Sequence, residues 1–498
     1  MAVDPLLCSR EELLSLLAGQ TVVIEELKTL VTGQTVVIEG LEAQVGTLQA
    51  VVVELRRRLD ADSSNSSRPP SSDSPFRRPP PKTSGMPGED GPVRQRGKQR
   101  GAAGKNRRQV DNPDERIGVE PDACTGCGTD LTDAELVRVY RRQVFEASPP
   151  PPPRVVQYDV AERRCRCCGQ VNQGQAPRFV TGRVQWGPGV SARAVLATIG
   201  HHLPYARAAV LLDTLSGLPV STGFLVNARR RAATLLDPFM ARVRELLHAA
   251  GLLHVDETTA RAGGGRAYLH VACNDTYTAM HTGGRTNGDI DGGGVLPDYT
   301  GIIVRDGYAG YQHYIDAVHA WCGAHTLRDL KGLHDADPAG QPGAQMMATT
   351  LVMALRDTRT ARDAGAATLP ADRLAYLRSA YAGAIAVMRD DNRATARTPL
   401  QQRGWSLANR FDTHRDMILA FLHDLSIPFT NNAAEREIRP VKVKQRAAGC
   451  WRTLDGLADF AIIWSYLSTA TKHGLDHLDV LVELFTTGPW LPPDPTPG

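Results

Sequence analysis

A 14-residue repeat near the start of the chain limits what that region can fold into. Residues 19–27 recur almost unchanged at 33–41, a shift of two heptads. Mostly β-branched residues at heptad position a and mainly Leu at position d favour a parallel two-stranded coiled coil. We therefore predict a coiled coil over residues 10–60 that forms a homodimer or a higher oligomer; an amphipathic helix that folds back on its own domain is the alternative. The a positions are Leu17, Ile24, Val31, Ile38, Val45, Val52 and Leu59, and the d positions are Leu13, Gln20, Leu27, Gln34, Leu41, Leu48 and Leu55.

Residues 61–115 change to a Ser/Pro-rich and then Gly/Arg/Lys-rich composition, which is typical of a disordered linker. Between Arg77 and Arg108 ten lysines and arginines stand against two acids, a net charge of +8 in a chain of +3. Such a block indicates a polyanion partner, and we expect double-stranded DNA. A solvated spacer is the alternative. The predicted DNA contacts here are Arg94, Arg96, Lys98, Arg100, Lys105, Arg107 and Arg108.

The chain offers no signal for a membrane or for secretion. No apolar run reaches the ~20 residues that a transmembrane helix needs, and acids interrupt the apolar start of the chain. We expect no membrane partner and a cytoplasmic location, nucleoid-associated when the protein is bound to DNA. Nine cysteines in 498 residues are also too few for a disulfide scaffold.

Five cysteines fall within 45 residues, and four of them form two Cys-x-x-Cys pairs that suit structural Zn²⁺. A redox role is the alternative. Residues 137–145 and 155–160 alternate like strands, so we predict a hairpin that returns the second pair to the first within a zinc-binding domain at 116–182. Cys167 competes with Cys165 or Cys168, but a two-residue spacer suits chelation better. The predicted zinc ligands are Cys124, Cys127, Cys165 and Cys168.

Residues 190–250 have a helical pattern that resembles a helix-turn-helix DNA-binding region. One helix leads through Ser216-Gly217 and a Ser/Thr cap to a second helix, which carries Arg229 and Arg230. We predict that these two arginines contact DNA. Many αα-hairpins that do not bind DNA have the same outline.

After Gly251 the pattern changes to short strands, two of which end on acids. Residues 252–257 end on Asp256 and Glu257, and residues 301–306 end on Asp306. Two further strand-like pieces, 268–273 and 277–281, lie between them. Three early strands, a fourth bearing an acid and later helices predict an α/β RNase H-like core, whose first part spans 251–325. In that arrangement the two aspartates lie side by side.

Paired carboxylates are the ligands that two Mg²⁺ ions, or Mn²⁺, need for phosphoryl chemistry. Two ions ~3.5–4 Å apart can activate an attacking oxygen and stabilise a leaving one. The alternative roles are an Asp-Gly turn residue for Asp306 and a surface acid beside Glu257 for Asp256.

A third acid is expected from residues 430–439, which have the pattern of a helix start. Glu435 is the candidate, although it lies three residues after Asn432 and could act as the return arm of a capping box. Glu437 is the competitor and lies about 200° around the helix from Glu435, so the two should not share a site. Arg436 and Arg439 would lie near bound phosphates.

Residues 326–428 separate the second acid from the third by 129 positions and are largely helical by pattern. We predict a helical insertion there, with the last part of the core at 429–490. Trp405 would either stack on an unpaired base or pack in a core. Cys322 and His325 have the spacing of half a zinc site; core packing of Cys322 and a hydrogen bond from His325 to the active site are the alternative.

Taken in order, these motifs resemble the insertion sequence 66 family of bacterial transposases. The matching pieces are the leucine-zipper start, Asn-Ser-Ser-Arg-Pro-Pro-Ser-Ser-Asp, the paired Cys knuckles, Val-Asp-Glu-Thr, Arg-Asp-Gly-Tyr, Cys-x-x-His, Asn-Asn-Ala-Ala-Glu-Arg-Glu-Ile-Arg and residues 465–475. The resemblance implies a DDE triad of Asp256, Asp306 and Glu435, and zinc ligation by the four cysteines named above. The linker departs from the family by lacking its Gly-Gly-Gln-Pro-Gly-His run.

The resemblance implies a transposase that binds the terminal inverted repeats of an insertion sequence. It would hydrolyse the phosphodiester at each end and join the freed 3′-OH to target DNA, with small accessory proteins of the same element as further partners. A DNA-binding regulator with an inactive RNase H-like core is the alternative. A repair or recombination nuclease is a third hypothesis, but it would not need the zipper or the basic arm.

Overall fold

The computed structural model describes residues 107–395 and 397–494, together with nine isolated helical positions between residues 25 and 53. Most of the predicted coiled coil and the linker residues Arg94, Arg96, Lys98, Arg100 and Lys105 lie outside the described residues. Arg107 and Arg108 are described and exposed. The chain divides into two units: one comprises Met1–Ser74, Val155–Thr214 and Leu218–Gly498, and the other comprises Pro75–Arg154 and Leu215–Gly217.

The cysteine region contains two short strands, which are not the predicted ones. Strands β1 (Glu162–Arg164) and β2 (Val171–Gln173) pair antiparallel on either side of the second cysteine pair. Residues 137–145 and 155–160 form no strand in the described structure, so that prediction is wrong. Their alternating apolar side chains stay in solvent, with Val137 and Val155 each 90% exposed. Alternation alone does not stabilise a strand that has no buried face.

A run of helices precedes the main sheet, as the pattern of residues 190–250 predicts. Its members are α1 (Pro188–Val195), a π-helical turn (Leu196–Gly200), α2 (Tyr205–Ser216), α3 (Thr222–Leu235) and α4 (Asp237–His248). The hydroxyl of Ser221 caps α3 by accepting a hydrogen bond from the Phe224 backbone N–H, at 3.1 Å.

The structure corrects the prediction for Arg229. Its side chain is buried, with the residue only 7% exposed, and it donates to Asp459 at 2.8 Å and to the Tyr205 hydroxyl at 2.7 Å. A guanidinium held in this way inside the helical layer does not face DNA. Arg230 is exposed, and its predicted contact with DNA stays a prediction.

A five-stranded mixed sheet follows the helices. In chain order the strands are β3 (Leu252–Ala262), β4 (Gly265–Cys273), β5 (Thr278–Gly283), β6 (Ile302–Arg305) and β7 (Val318–Trp321). Their spatial order is β5-β4-β3-β6-β7. The pairs β3–β4 and β4–β5 are antiparallel, whereas β3–β6 and β6–β7 are parallel. This mixed α/β arrangement is compatible with an RNase H-like core, and β7 is a strand that the sequence pattern did not predict.

Helices fill the remaining chain, in agreement with the helical pattern of residues 326–428. Trp405 is half-buried, with the Arg397 guanidinium 4.1 Å from its ring centroid, so one face of the indole is already covered. A short helix α5 (Asn287–Asp291) and a 3₁₀ turn (Ala309–His313) lie beside the sheet; the later helices are α6 (Gly323–Ala336), α7 (Pro342–Asp363), α8 (Ala371–Asp391), α9 (Pro399–Thr413), α10 (Arg415–Ile418), α11 (Ala420–His423), α12 (Asn432–Ala448), α13 (Leu454–Lys472) and α14 (His477–Thr486).

Two apolar cores hold the sheet in place. One joins β3–β5 to α1–α4 and α12–α14 and includes the fully buried Phe239, Phe460 and Tyr466. The other joins β7 to α6–α11 and includes Tyr381 and Phe411. Each such ring stabilises the fold by roughly 1.5–3 kcal/mol through burial. No helix in the described part of the chain is both long and apolar enough to cross a membrane.

Candidate active site

The register of the sheet brings the first two acids together. Strands β3 and β6 run parallel, with Leu252 opposite Ile302 and His254 opposite Val304. Asp256 and Asp306 each lie two residues beyond that last pair, so they reach the same edge of neighbouring strands. The Asp306 carboxylate is held by the backbone N–H of Tyr308, which donates to its Oδ1 at 2.8 Å.

Asp256 is buried and is influenced by the charges of several other acids. Burial raises the pKa of Asp256 well above its usual value, and the charges of Asp306, Glu257 and Glu435 raise it further. A backbone N–H from Glu257, 2.8 Å from Asp256 Oδ1, works in the opposite direction. The charged form of Asp256 is therefore unfavourable without a cation nearby.

Asn431 fixes the helix that carries the third acid. It is fully buried at the N-terminal end of α12, and its amide Nδ2 donates to the Val255 carbonyl at 2.8 Å. Its Oδ1 accepts from His254 Nδ1 at 2.9 Å, and its backbone N–H donates to the sulfur of Cys322 at 3.1 Å. The Asn431 side chain thus joins the start of α12 to β3. Its backbone N–H joins α12 to Cys322, the residue after β7.

Glu435 lies in the first turn of α12. Its Oε1 is buried and has no hydrogen-bond partner among the described residues. That oxygen lies 3.7 Å from His325 Nδ1 and 3.6 Å from the Arg328 guanidinium, both on α6. Cys322, His325 and Glu435 form a group whose possible metal-ligand atoms all lie within 4.8 Å of one another.

The capping-box role considered for Glu435 does not occur, because α12 starts with Asn431 as its N-cap and no side chain makes the cap bond. Glu437 points elsewhere: Ser468 donates to it at 2.6 Å, and Lys472 lies 3.2 Å away. The helix therefore separates the two glutamates, as its geometry predicts. Arg436 and Arg439 are exposed on the same helix.

Arg305 is a site residue that sequence reasoning missed. It is 0% exposed and donates through Nη1 to the carbonyls of Asp306 at 2.9 Å and Tyr308 at 3.0 Å. Burial lowers its pKa to about 10, so it remains a cation at neutral pH. It thereby holds the loop of Asp306 and places a positive charge beside the acids. The Arg-Asp-Gly-Tyr motif was the signal that could have pointed to it.

The two cysteine pairs form the same turn. In the first, Cys124 N–H donates to the Thr129 carbonyl and Gly128 N–H to the Cys124 carbonyl, both at 2.8 Å. In the second, Cys165 N–H donates to Gln170 at 2.8 Å and Gly169 N–H to Cys165 at 3.0 Å. The two glycines have φ of 75° and 74°. In this repeat Cys168 corresponds to Cys127, whereas Cys167 takes the position of Gly126.

Hydrogen bonds favour thiolates in both turns. The Thr129 hydroxyl lowers the pKa of Cys127, and the backbone N–H of Cys168 lowers the pKa of Cys165. Thiolates are the form that binds metal. The two turns belong to different units of the chain, and their joint ligation of one Zn²⁺ stays a prediction.

Comparison with known proteins gives three matches. A family model described as "Transposase IS66 family" matches residues 183–459, more than half of the chain. A model described as "Family of unknown function (DUF6444)" matches residues 18–108. The chain is also similar to "Uncharacterized protein y4hP" of Sinorhizobium fredii (strain NBRC 101917 / NGR234), with 25% identity over 250 residues, 44% of this chain and 43% of that protein. The match therefore spans less than half of that relative's length.

Proposed function

The chain belongs to the transposase IS66 family, and from this membership we propose that it is a DNA transposase with a DDE triad of Asp256, Asp306 and Glu435. The observation that carries the proposal is the parallel register of β3 and β6, which brings Asp256 and Asp306 to the same edge of the sheet. Asp306 and Glu435, which come from other elements of the chain, both raise the pKa of Asp256.

The topology supports an RNase H-like catalytic core. The central strand β3 carries the first acid, and the second acid directly follows its parallel neighbour β6, in the order β5-β4-β3-β6-β7. Asn431 supplies a contact between β3 and the helix of the third acid. Asp256 and Glu435 thus lie on a strand and a helix, and Asp306 lies directly after a strand with its loop held by Arg305, which favours precise placement of a reacting group.

The donor set fits Mg²⁺ or Mn²⁺. Carboxylate oxygens are the hard ligands these ions prefer, and the buried Oε1 of Glu435 has no hydrogen-bond partner among the described residues. Asp256, Asp306 and Glu435 would hold two ions. When bound, such ions activate an attacking oxygen and stabilise the leaving oxygen of an in-line phosphoryl displacement.

The proposed reaction has two displacements. Water first replaces a 3′ oxygen at the scissile phosphodiester of each element end, which leaves a 5′ phosphate and a free 3′-OH. That hydroxyl then attacks a phosphodiester of the target DNA and displaces the 3′ oxygen of the target strand, which leaves as a 3′-OH, so one phosphodiester bond forms for each one broken. Arg305 keeps Asp306 in position throughout, and the exposed Arg436 and Arg439 provide charges for the DNA backbone.

The remaining parts of the chain would hold the DNA and the dimer. We assign structural Zn²⁺ to Cys124, Cys127, Cys165 and Cys168, terminal-repeat and target binding to the basic linker and the helical region, and dimerisation to residues 10–60. The two cysteine turns have the same backbone hydrogen bonds, with Cys168 at the position of Cys127, and this equivalence allows a test of the zinc ligands. Cys168→Ser should lose the bound zinc measured by atomic absorption, whereas Cys167→Ser should keep it.

The proposed activity is tested by cleavage of a labelled terminal-repeat duplex with Mg²⁺, comparing wild type with Asp306→Asn. Asn keeps the shape of the side chain but removes the charge that holds the metal. Wild type should nick at the end of the repeat, and the variant should bind the duplex while cutting on the order of 10³-fold more slowly. Equal cutting by both would remove Asp306 from the site. Binding without cutting by either would favour a DNA-binding regulator with an inactive core.

A further inference from the structure

Arg285 lies in the loop that follows β5 and forms an ion pair with Glu257, the residue after Asp256. The two partners differ in exposure: the Glu257 side chain is 6% exposed, whereas that of Arg285 is 42% exposed. The Tyr311 hydroxyl also donates to Glu257, at 3.1 Å, so the carboxylate is fixed from two directions. Glu257 therefore serves as the buried anchor of a cation that remains open to solvent.

A second set of contacts ties Arg285 to the loop of Asp306. The Arg285 guanidinium carbon lies 3.9 Å from the ring centroid of Tyr308, two residues after Asp306, and 5.3 Å from that of Tyr268 on β4. The Tyr308 hydroxyl also donates to the backbone carbonyl of Arg285 at 2.8 Å. The guanidinium is thus held by Glu257, one residue after Asp256, and by Tyr308, two residues after Asp306.

The placement of this cation has a consequence for a DNA strand. A phosphodiester that approaches Asp256 and Asp306 meets repulsion from several carboxylates, and a fixed cation at the rim offsets it. A guanidinium has five N–H donors, and the ion pair with Glu257 leaves others for a second anion. The buried Glu257 and the two tyrosine rings hold the guanidinium in one position while part of it stays exposed, which preorganises it for a second anion.

We propose that Arg285 binds a backbone phosphate of the DNA strand being cut, within two phosphates of the scissile one. Glu257 and Tyr308 are its positioning residues. This inference rests on the proposed function, because it assumes that Asp256 and Asp306 act on DNA. It adds a phosphate contact that sets which phosphodiester of the strand lies over the two aspartates.

The test is a scan of single methylphosphonates, which are uncharged, through a terminal-repeat duplex. Affinity is measured with Ca²⁺ and cleavage with Mg²⁺, for wild type, Arg285→Ala and Arg285→Lys. Arg266→Ala is the control, because Arg266 is an exposed arginine at the far end of the β3–β4 hairpin. In wild type and in the control, one methylphosphonate within two phosphates of the cut should weaken binding by about 10- to 100-fold.

In Arg285→Ala that one methylphosphonate should weaken binding by less than about twofold, while the other sensitive positions keep their effect. The slope of log affinity against log salt concentration should fall by the contribution of about one phosphate contact. Arg285→Lys, which keeps the charge and serves if the alanine variant does not fold, should retain part of the effect at the same position. An unchanged interference profile in both variants, or no sensitive phosphate near the cut in wild type, would overturn the inference. If the effect depends on Arg285 but no protein cuts, the phosphate contact stands and the proposed transposase activity fails.

Discussion

The acid cluster and the cysteine turns are built in opposite ways. Asp256, Asp306 and Glu435 are separated by 50 and 129 residues; the first lies on a strand, the second directly follows another strand, and the third lies on a helix. Each cysteine turn is closed by backbone hydrogen bonds within six residues and by one glycine with positive φ. Damage to a distant contact should therefore affect the acid cluster, whereas the cysteine turns should respond only to changes in their own residues.

The largest expected effect is on the cleavage rate, and it should distinguish the two glutamates of α12, Glu435 and Glu437. Glu435→Gln removes a proposed metal ligand and should slow cleavage on the order of 10³-fold. Glu437→Gln is the matched control, because Glu437 bonds to Ser468 and Lys472 instead. Its cleavage rate should stay within about twofold of wild type in the terminal-repeat assay. Similar losses in both variants would mean that the helix, not the carboxylate, is what matters.

The next effect concerns the contact that joins distant elements. Asn431→Ala leaves His254 Nδ1 and the Val255 carbonyl without their partner, and should cost about 2–3 kcal/mol of unfolding free energy. Urea denaturation measures this, and cleavage should fall in parallel because Glu435 loses its support. Asn432→Ala, at the exposed neighbour, should change neither by a measurable amount. A stable Asn431→Ala variant would show that α12 is held mainly by apolar packing.

A smaller effect follows from the raised pKa of Asp256. Because the folded-state pKa lies above the unfolded one, the protein loses stability as pH rises from about 4 through the folded-state pKa. Asn cannot ionise. In EDTA at pH 8 the free energy of unfolding of Asp256→Asn should therefore exceed that of wild type by about 1–2 kcal/mol, the size of gain that single stabilising substitutions commonly give. The difference should disappear near pH 4. Denaturation at several pH values would refute this if both proteins followed the same curve.

The smallest effect is local to the cysteine turns. Gly128→Ala places a side chain at a φ of 75° and should weaken the free energy of zinc binding by about 1 kcal/mol. Competition with a chelator measures this change. Gly126→Ala is the control, since a Cβ there meets only Cys124 Sγ at 3.9 Å. The cleavage rate of zinc-loaded protein should stay unchanged in both. A large loss of cleavage in Gly128→Ala would show that the turns are not independent of the acid cluster.

Features encoded over short distances could be predicted from the sequence. The strand–acid pattern located β3 and β6, and the helical period located the helices of residues 190–250 and 326–428. The four-residue strand β7 was too short to stand out from its surroundings. The predicted strands at 137–145 and 155–160 failed because an alternating pattern does not reveal whether its apolar face finds a partner.

The contacts that Arg229, Arg285 and Asn431 make with distant residues were not predictable. The burial of Arg229 depends on Asp459, 230 residues further along the chain, and the contact of Arg285 with Glu257 depends on the order of strands in the sheet. Neither partner follows from local spacing. The same limit applies to Asn431, which looks like an ordinary helix-start residue but joins α12 to β3.

The central claim is that Asp256, Asp306 and Glu435 form one divalent-metal site. Replacing Mg²⁺ with Fe²⁺ and adding ascorbate and peroxide generates hydroxyl radicals at the bound ion, which cut the nearby backbone. The account predicts protein fragments that end near residues 256, 306 and 435 together, suppressed by excess Mg²⁺ and lost in Asp306→Asn. Fragments that end near only one of these positions, or a pattern that Asp306→Asn leaves unchanged, would contradict it.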